Sequence, residues 1–261
     1  MNRLTSRLVF LKERNQKALV AYLVAGDPDM ATTLDLMHLF VESGVDVIEI
    51  GVPFTDPIAE GPTIQRAHDR ALKNNISLKM IMNLVEDFRK NDQETPIVLM
   101  GYLNTFISHL DLVQASNKDG IDSILVVDVP GELNLKSYGI NNPNINTISL
   151  ISPTTKEDRI ESIAKNSTGF IYYVNLRGVT GSSNLNTDEI KNNINRIKQY
   201  SDLPTMAGFG IKSVEDAKTL AACSDGIVIG SSIVEMINEE SKSKEFDRIR
   251  DYLKEMKAAI S

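Results

Sequence analysis

Eight short runs of apolar, often β-branched residues recur along the chain: 19–25 (LVAYLVA), 46–51 (DVIEIG), 96–102 (PIVLMGY), 123–129 (SILVVDV), 147–152 (TISLIS), 170–175 (FIYYVN), 204–210 (PTMAGFG) and 226–230 (GIVIG). Runs of this length, bounded by Gly, Pro and small polar residues, predict strands. Between them apolar residues fall three or four apart, as in MATTLDLMHLFVESG (30–44), SLKMIMNLVEDFRKN (77–91), TDEIKNNINRIKQYS (187–201) and SVEDAKTLAAC (213–223). That period predicts amphipathic helices. Extra helices are expected before the first strand and after the eighth, where 231–260 reads as one or two helices with a charged break near 239–244. Eight strand–helix units in roughly 250 residues is the count of a closed parallel barrel, so the expected fold is a (β/α)8 TIM barrel spanning 1–261 as one domain. Periodicity does not reveal closure, and a doubly wound open sheet is the alternative.

Composition narrows the class. The 261 residues are 42% hydrophobic and 24% charged, with a formal charge of −7 from 28 Lys+Arg against 35 Asp+Glu. An acidic chain without a basic stripe lacks the electrostatic footprint of a nucleic-acid binder. Cys223 is the only cysteine, so no intrachain disulfide can form, and a reducing compartment fits. No apolar stretch near the N-terminus exceeds the eight residues 18–25. That is too short for a membrane span, and a cytoplasmic protein is expected.

The strand exits carry the candidate chemistry. Strands of a parallel barrel are buried on both faces, so Glu49, between Ile48 and Ile50, cannot reach water by facing the other way. Either it is held by backbone or a cation, or it overhangs a pocket at the strand end. Asp56 and Glu60 follow in the next loop, gathering three carboxylates at one exit. Carboxylates in unequal surroundings can be tuned apart for general acid–base work. Later, GVTG (178–181), GFG (208–210) and GSS (230–232) follow strands six, seven and eight. Converging amides, with a helix beginning at Ser231, suit an anion and phosphate above all; tight turns without a ligand are the plainer reading. His38, His68 and His109 lie in helical segments without metal-ligand spacing, and no Cys/His cluster, P-loop, G-x-S-x-G or dinucleotide fingerprint occurs, which disfavours metal, ATP and NAD.

The stretches EIGVPFTDPIAEGPTIQ, AYLVAGDP, LMGYLN, DVP, YYVNLRGVTG, AGFGIKS and GIVIGSSIV closely resemble, in order and over essentially the whole chain, the tryptophan synthase alpha subunit. The resemblance implies retro-aldol cleavage of indole-3-glycerol phosphate to indole and glyceraldehyde 3-phosphate, with no cofactor in this chain. Glu49 then matches the catalytic glutamate, which moves a proton between a glycerol hydroxyl and indole C3. Glu60 matches a catalytic position where the family carries Asp, facing indole N1–H, and the extra methylene puts its reach in question. The indole pocket maps to Tyr22, Met100, Tyr102, Leu125, Val127, Ile151, Tyr172 and Phe209, of which Leu125, Val127 and Ile151 also read as plain core. Thr180 maps to a lid, and Gly181, Gly210, Gly230 and Ser231 map to the phosphate. Pro53 and Asp56 match positions facing a beta subunit, which carries pyridoxal phosphate and completes an alpha2beta2 tetramer. A stand-alone indole-glycerol phosphate lyase and a weakly active effector of the beta subunit are the open alternatives.

Overall fold

The computed structural model describes residues 2–116, 118, 120–174, 187–208, 210–243 and 245–261. Its eight strands are β1 (Ala18–Val24), β2 (Val47–Gly51), β3 (Ile97–Gly101), β4 (Ser123–Val126), β5 (Asn146–Ile151), β6 (Ile171–Val174), β7 (Thr205–Gly208) and β8 (Gly226–Ile229). All pair in parallel in sequence order, and β8 returns to β1 through Ala18↔Gly226 to Ala21↔Ile229. The barrel is therefore closed, as the strand count predicts, and the open-sheet alternative falls.

Helices α1 (Arg3–Glu13), α2 (Met30–Glu42), α3 (Pro62–Leu72), α4 (Leu78–Arg89), α5 (Leu103–Ile107), α6 (Leu110–Ala115), α7 (Glu157–Asn166), α8 (Thr187–Lys198), α9 (Val214–Ala221), α10 (Ser231–Glu240) and α11 (Asp247–Ile260) fill the connections and both ends. The four amphipathic segments read from the sequence are α2, α4, α8 and α9, and the charged break separates α10 from α11. His109 stands at the N-cap position of α6, without a side-chain capping bond, between two short helices.

The period of two along each strand sorts the apolar residues into two layers. Leu19, Ile48, Ile50, Leu99, Ile124, Ile171, Ala207 and Ile227 face outward into the helices. Val20, Val47, Val98, Leu125, Ile148, Phe170, Met206 and Val228 fill the barrel interior. Helix α1 closes the lower end, since Leu4, Leu8 and Leu11, one helical turn apart, join that inner cluster.

The lower rim repeats one device. Asp46, Asp122, Thr168 and Asp225 each stand just before an even-numbered strand. Their side chains accept the N–H of Leu19, Ile97, Thr147 and Thr205 on the preceding odd strand, at 2.7, 2.9, 2.8 and 2.9 Å. Their own N–H groups donate back to the carbonyls of the same four residues. Each reciprocal pair satisfies backbone groups that would otherwise be stranded at a strand end. The buried Asp46 is neutralised by Arg7 at 2.7 Å and Lys257 at 2.7 Å, tying α1 and α11 to the barrel floor. Stability is thus concentrated at the floor and chemistry is left to the mouth.

Candidate active site

Two residues above each member of the interior layer, the strands present Tyr22, Glu49, Met100, Val127, Leu150, Tyr172, Gly208 and Gly230. This row lines the mouth. The same alternation reports on two expected pocket residues. Leu125 belongs to the lower interior layer, fully buried beneath Val127. Ile151 packs outward among the helix-facing residues, and because Leu150 pairs with the inward Tyr172, Leu150 occupies the place expected for Ile151. Phe209, Thr180 and Gly181 lie outside the described residues.

Glu49 is 1% exposed, and its Oε2 has no hydrogen-bond partner among the described residues. No cation stands beside it there. Burial first, and then the charge of Glu60, push its pKa up to about 8. Glu60 is half-buried; burial raises it to about 7, against a lowering contribution from the Tyr102 hydroxyl, which donates to Oε1 at 3.2 Å. The Glu60 charge adds to burial at Glu49, and the more buried carboxyl keeps its proton longer. Tyr22 and Tyr172 are held well above the ordinary phenol range, mainly by burial and then by these same two carboxylates, so both remain hydroxyl donors.

The loop after β2 brings Glu60 over the mouth, and Tyr102 at the end of β3 anchors it. Phe54 stacks on the Tyr102 ring with centroids 4.6 Å apart, and Ala59 N–H donates to the Tyr102 hydroxyl at 3.0 Å. The Gln65 side-chain amide donates to the Glu60 carbonyl at 3.0 Å, holding the far side of the turn. Pro53 is buried within the chain, whereas Asp56 is exposed.

Beside the carboxylates opens a cavity of about 680 Å³, lined by Tyr172, Gly208, Gly210, Lys212, Gly230 and Ser231 among others. Gly230 precedes α10 and no side chain caps that helix, so its first amides face the cavity unclaimed by a cap. Gly210 has φ +66°, a left-handed turn that a glycine adopts without strain. Gly208 serves by lacking a side chain, because a Cβ there would lie 2.4 Å from the Tyr172 hydroxyl. Gly208→Ala is expected to displace that ring, lowering kcat/KM roughly tenfold and stability by about 1–3 kcal/mol through overpacking; steady-state kinetics and thermal unfolding check it. A separate cavity of about 410 Å³ lies at the opposite, floor end around Leu8, Lys12, Lys198 and Asp225. Among the described residues no group of three or more His, Cys, Asp or Glu side chains could hold a metal ion.

His68, Leu150 and Lys212 joined the site only in three dimensions. Apolar residues at both 150 and 151 left the sequence no way to choose between them, and nothing in the sequence tied the helical His68 to the mouth.

A closed parallel barrel whose mouth sets the buried Glu49 and the half-buried Glu60 beside a glycine-lined cavity has the architecture of a barrel enzyme, with its site at the strand exits. Residues 8–261 match the family described as Tryptophan synthase alpha chain. Tryptophan synthase alpha chains of Nitrosomonas europaea and Neisseria meningitidis serogroup B are 43% and 45% identical to this chain, over 100% and 94% of it and 96% and 94% of their own lengths. The crystal structure of tryptophan synthase subunit alpha from Legionella pneumophila superposes with a TM-score of 0.91 at 39% identity, covering 100% of this chain and 98% of that one. The chain belongs to the tryptophan synthase alpha chain family, and it is a carbon–carbon lyase.

Proposed function

We propose that Glu49 and Glu60 carry the retro-aldol cleavage of indole-3-glycerol phosphate, with the whole chain, 1–261, acting as one unit. The observation that carries this reading is the buried, proton-retaining Glu49 carboxyl at the barrel mouth, whose Oε2 has no partner among the described residues, next to a second carboxylate held on a tyrosine. The amides of Gly210, Gly230 and Ser231 bind the phosphate, with Gly181 as a further expected contact. The indole ring lies among Tyr22, Met100, Tyr102, Val127, Leu150 and Tyr172, with Phe209 and Thr180 expected to close over it.

Glu49 first gives its proton to indole C3, and the ring's enamine electrons form the new C–H bond, leaving positive charge at N1. Glu60, ionised, faces N1–H and stabilises that charge. The Glu49 carboxylate then takes the proton of the hydroxyl on the adjacent glycerol carbon. The O–H electrons become the aldehyde C=O, the carbon–carbon bond breaks, and its electrons neutralise the ring nitrogen. Indole and glyceraldehyde 3-phosphate leave, and Glu49 is protonated again.

The cycle starts with Glu49 protonated and Glu60 ionised, the distribution favoured between their values of about 7 and about 8. The expected kcat/KM profile is bell-shaped with its maximum in that interval. The acid limb reports loss of the Glu60 charge and the basic limb loss of the Glu49 proton. Steady-state cleavage rates from about pH 5.5 to about pH 10 test this, and a flat profile would refute it.

The exits of β2, β3 and β4 expose Ile58 at 74%, Ile107, the last residue of α5, at 39%, and Leu133 at 47%. Apolar side chains displayed there support docking of a beta subunit, with Asp56 at the edge and Pro53 stiffening the loop from within. The assembly is an alpha2beta2 tetramer in the cytoplasm, and pyridoxal phosphate resides in the partner. No helix among the described residues is long and apolar enough to cross a membrane.

A further inference from the structure

His68 is 1% exposed in the middle of α3, one side of which packs on the mouth through Ala67 and Ala71 against Tyr22 and Val24. Its Nδ1 accepts the N–H of Phe54 at 3.0 Å. An imidazole nitrogen that accepts a backbone N–H carries no proton, so the neutral ring is the Nε2–H tautomer. Nε2 lies 3.5 Å from the Tyr22 hydroxyl. That contact is long, as catalytic hydrogen bonds commonly are before a substrate tightens the site. The Tyr22 hydroxyl in turn occupies the space a side chain at Gly51 would take, since a Cβ there would lie 2.1 Å from it. Tyr22 also pairs in register with Glu49 across β1 and β2. One ring therefore touches the base of the Glu60 loop and the tyrosine beside Glu49.

We infer that His68 is a positioning residue for the lyase reaction: it fixes the start of the Glu60 loop through Phe54 and, by donating to Tyr22, turns that phenol O–H toward the carboxylate pair. Both functions need the uncharged imidazole, and burial lowers its pKa to about 4, so one tautomer persists throughout the working range. The inference rests on the site proposed above. It extends that site to a helix residue that contacts no reacting atom.

The two contacts separate by substitution. Asn places an amide oxygen near Nδ1 and so keeps the Phe54 bond but not the Tyr22 contact; Gln places an amide N–H near Nε2 and keeps only the latter. His68→Ala is expected to lower kcat roughly 30- to 100-fold with KM changed less than about threefold, since small misplacements of catalytic groups cost rates of this order. His68→Asn and His68→Gln should each recover part of that loss. Tyr22→Phe should lower kcat several-fold in the wild-type background and have no further effect beside His68→Ala or His68→Asn. If the Asn and Gln variants turn over within twofold of wild type while melting earlier, His68 is only a packed core residue and the inference is overturned. Additive losses for Tyr22→Phe and His68→Asn would overturn the relay to Tyr22. The Glu49→Gln enzyme is the control: if it retains wild-type turnover, the site reading itself has failed, whatever the His68 variants do.

Discussion

Glu49→Gln is expected to lower kcat for indole release by about 10²–10⁴-fold while leaving the barrel folded, because the amide keeps the shape and loses the transferable proton. The same variant should be more stable than wild type at high pH. The Glu49 pKa is raised from 4.5 in the unfolded chain to about 8 in the fold, so between those values the native state holds a proton that the unfolded state has released. Stability contributed by this site is then greatest below pH 4.5 and declines as pH rises towards 8. A neutral amide removes that decline. Melting temperatures of the two proteins should nearly coincide at about pH 4.5 and diverge by several degrees at about pH 8.5, with Glu49→Gln the higher. Loss of activity together with gain of stability separates a functional buried carboxylate from a structural one, whose removal would destabilise the fold.

Glu60→Gln is expected to cost about 10²–10³ in kcat with little change in KM, since the lost charge opposes positive charge that exists on the ring only during the reaction. It has a second signature. The Glu60 charge is the second cause raising Glu49, so its removal should move the basic limb of the pH profile to lower pH. Glu60→Asp keeps the charge and shortens the arm that meets the Tyr102 hydroxyl at 3.2 Å. A milder loss in Glu60→Asp than in Glu60→Gln would show that charge outweighs reach, and equal losses would show the reverse. Steady-state kinetics of both variants across the pH range decide between them.

Much of this site was legible in the sequence because burial makes polar residues conspicuous. A glutamate between two isoleucines stands out in a strand that has no solvent face, and its raised pKa is the physical form of that oddity. Glycine clusters at strand exits were legible for the complementary reason, that close approach and a left-handed turn leave few other choices. Where strands are apolar on both faces, alternation carries no contrast. Leu150 and Ile151 look alike in TISLIS, and only the pairing of Leu150 with Tyr172 shows which points inward. Asp46 reads as the first residue of β2, yet it lies just outside, capturing Leu19 N–H; a short acidic side chain at a strand end can cap or continue, and the choice is made by the neighbouring strand. His68 was invisible because its two partners, Phe54 and Tyr22, lie 14 and 46 residues away on other elements. Expectations for Thr180, Gly181 and Phe209 fall outside the described residues and rest on the family resemblance.

As the proposed central catalytic group, Glu49 is required to face the reacting carbon of a substrate whose phosphate rests on the start of α10. A crystal structure of the Glu49→Gln chain with intact indole-3-glycerol phosphate tests this most directly. The predicted result places the side-chain amide introduced at position 49 about 2.6–3.2 Å from the glycerol hydroxyl next to indole C3, with the phosphate on the amides of Gly230 and Ser231. An indole-glycerol phosphate bound with its ring beyond reach of position 49, or with its phosphate away from α10, would contradict the account.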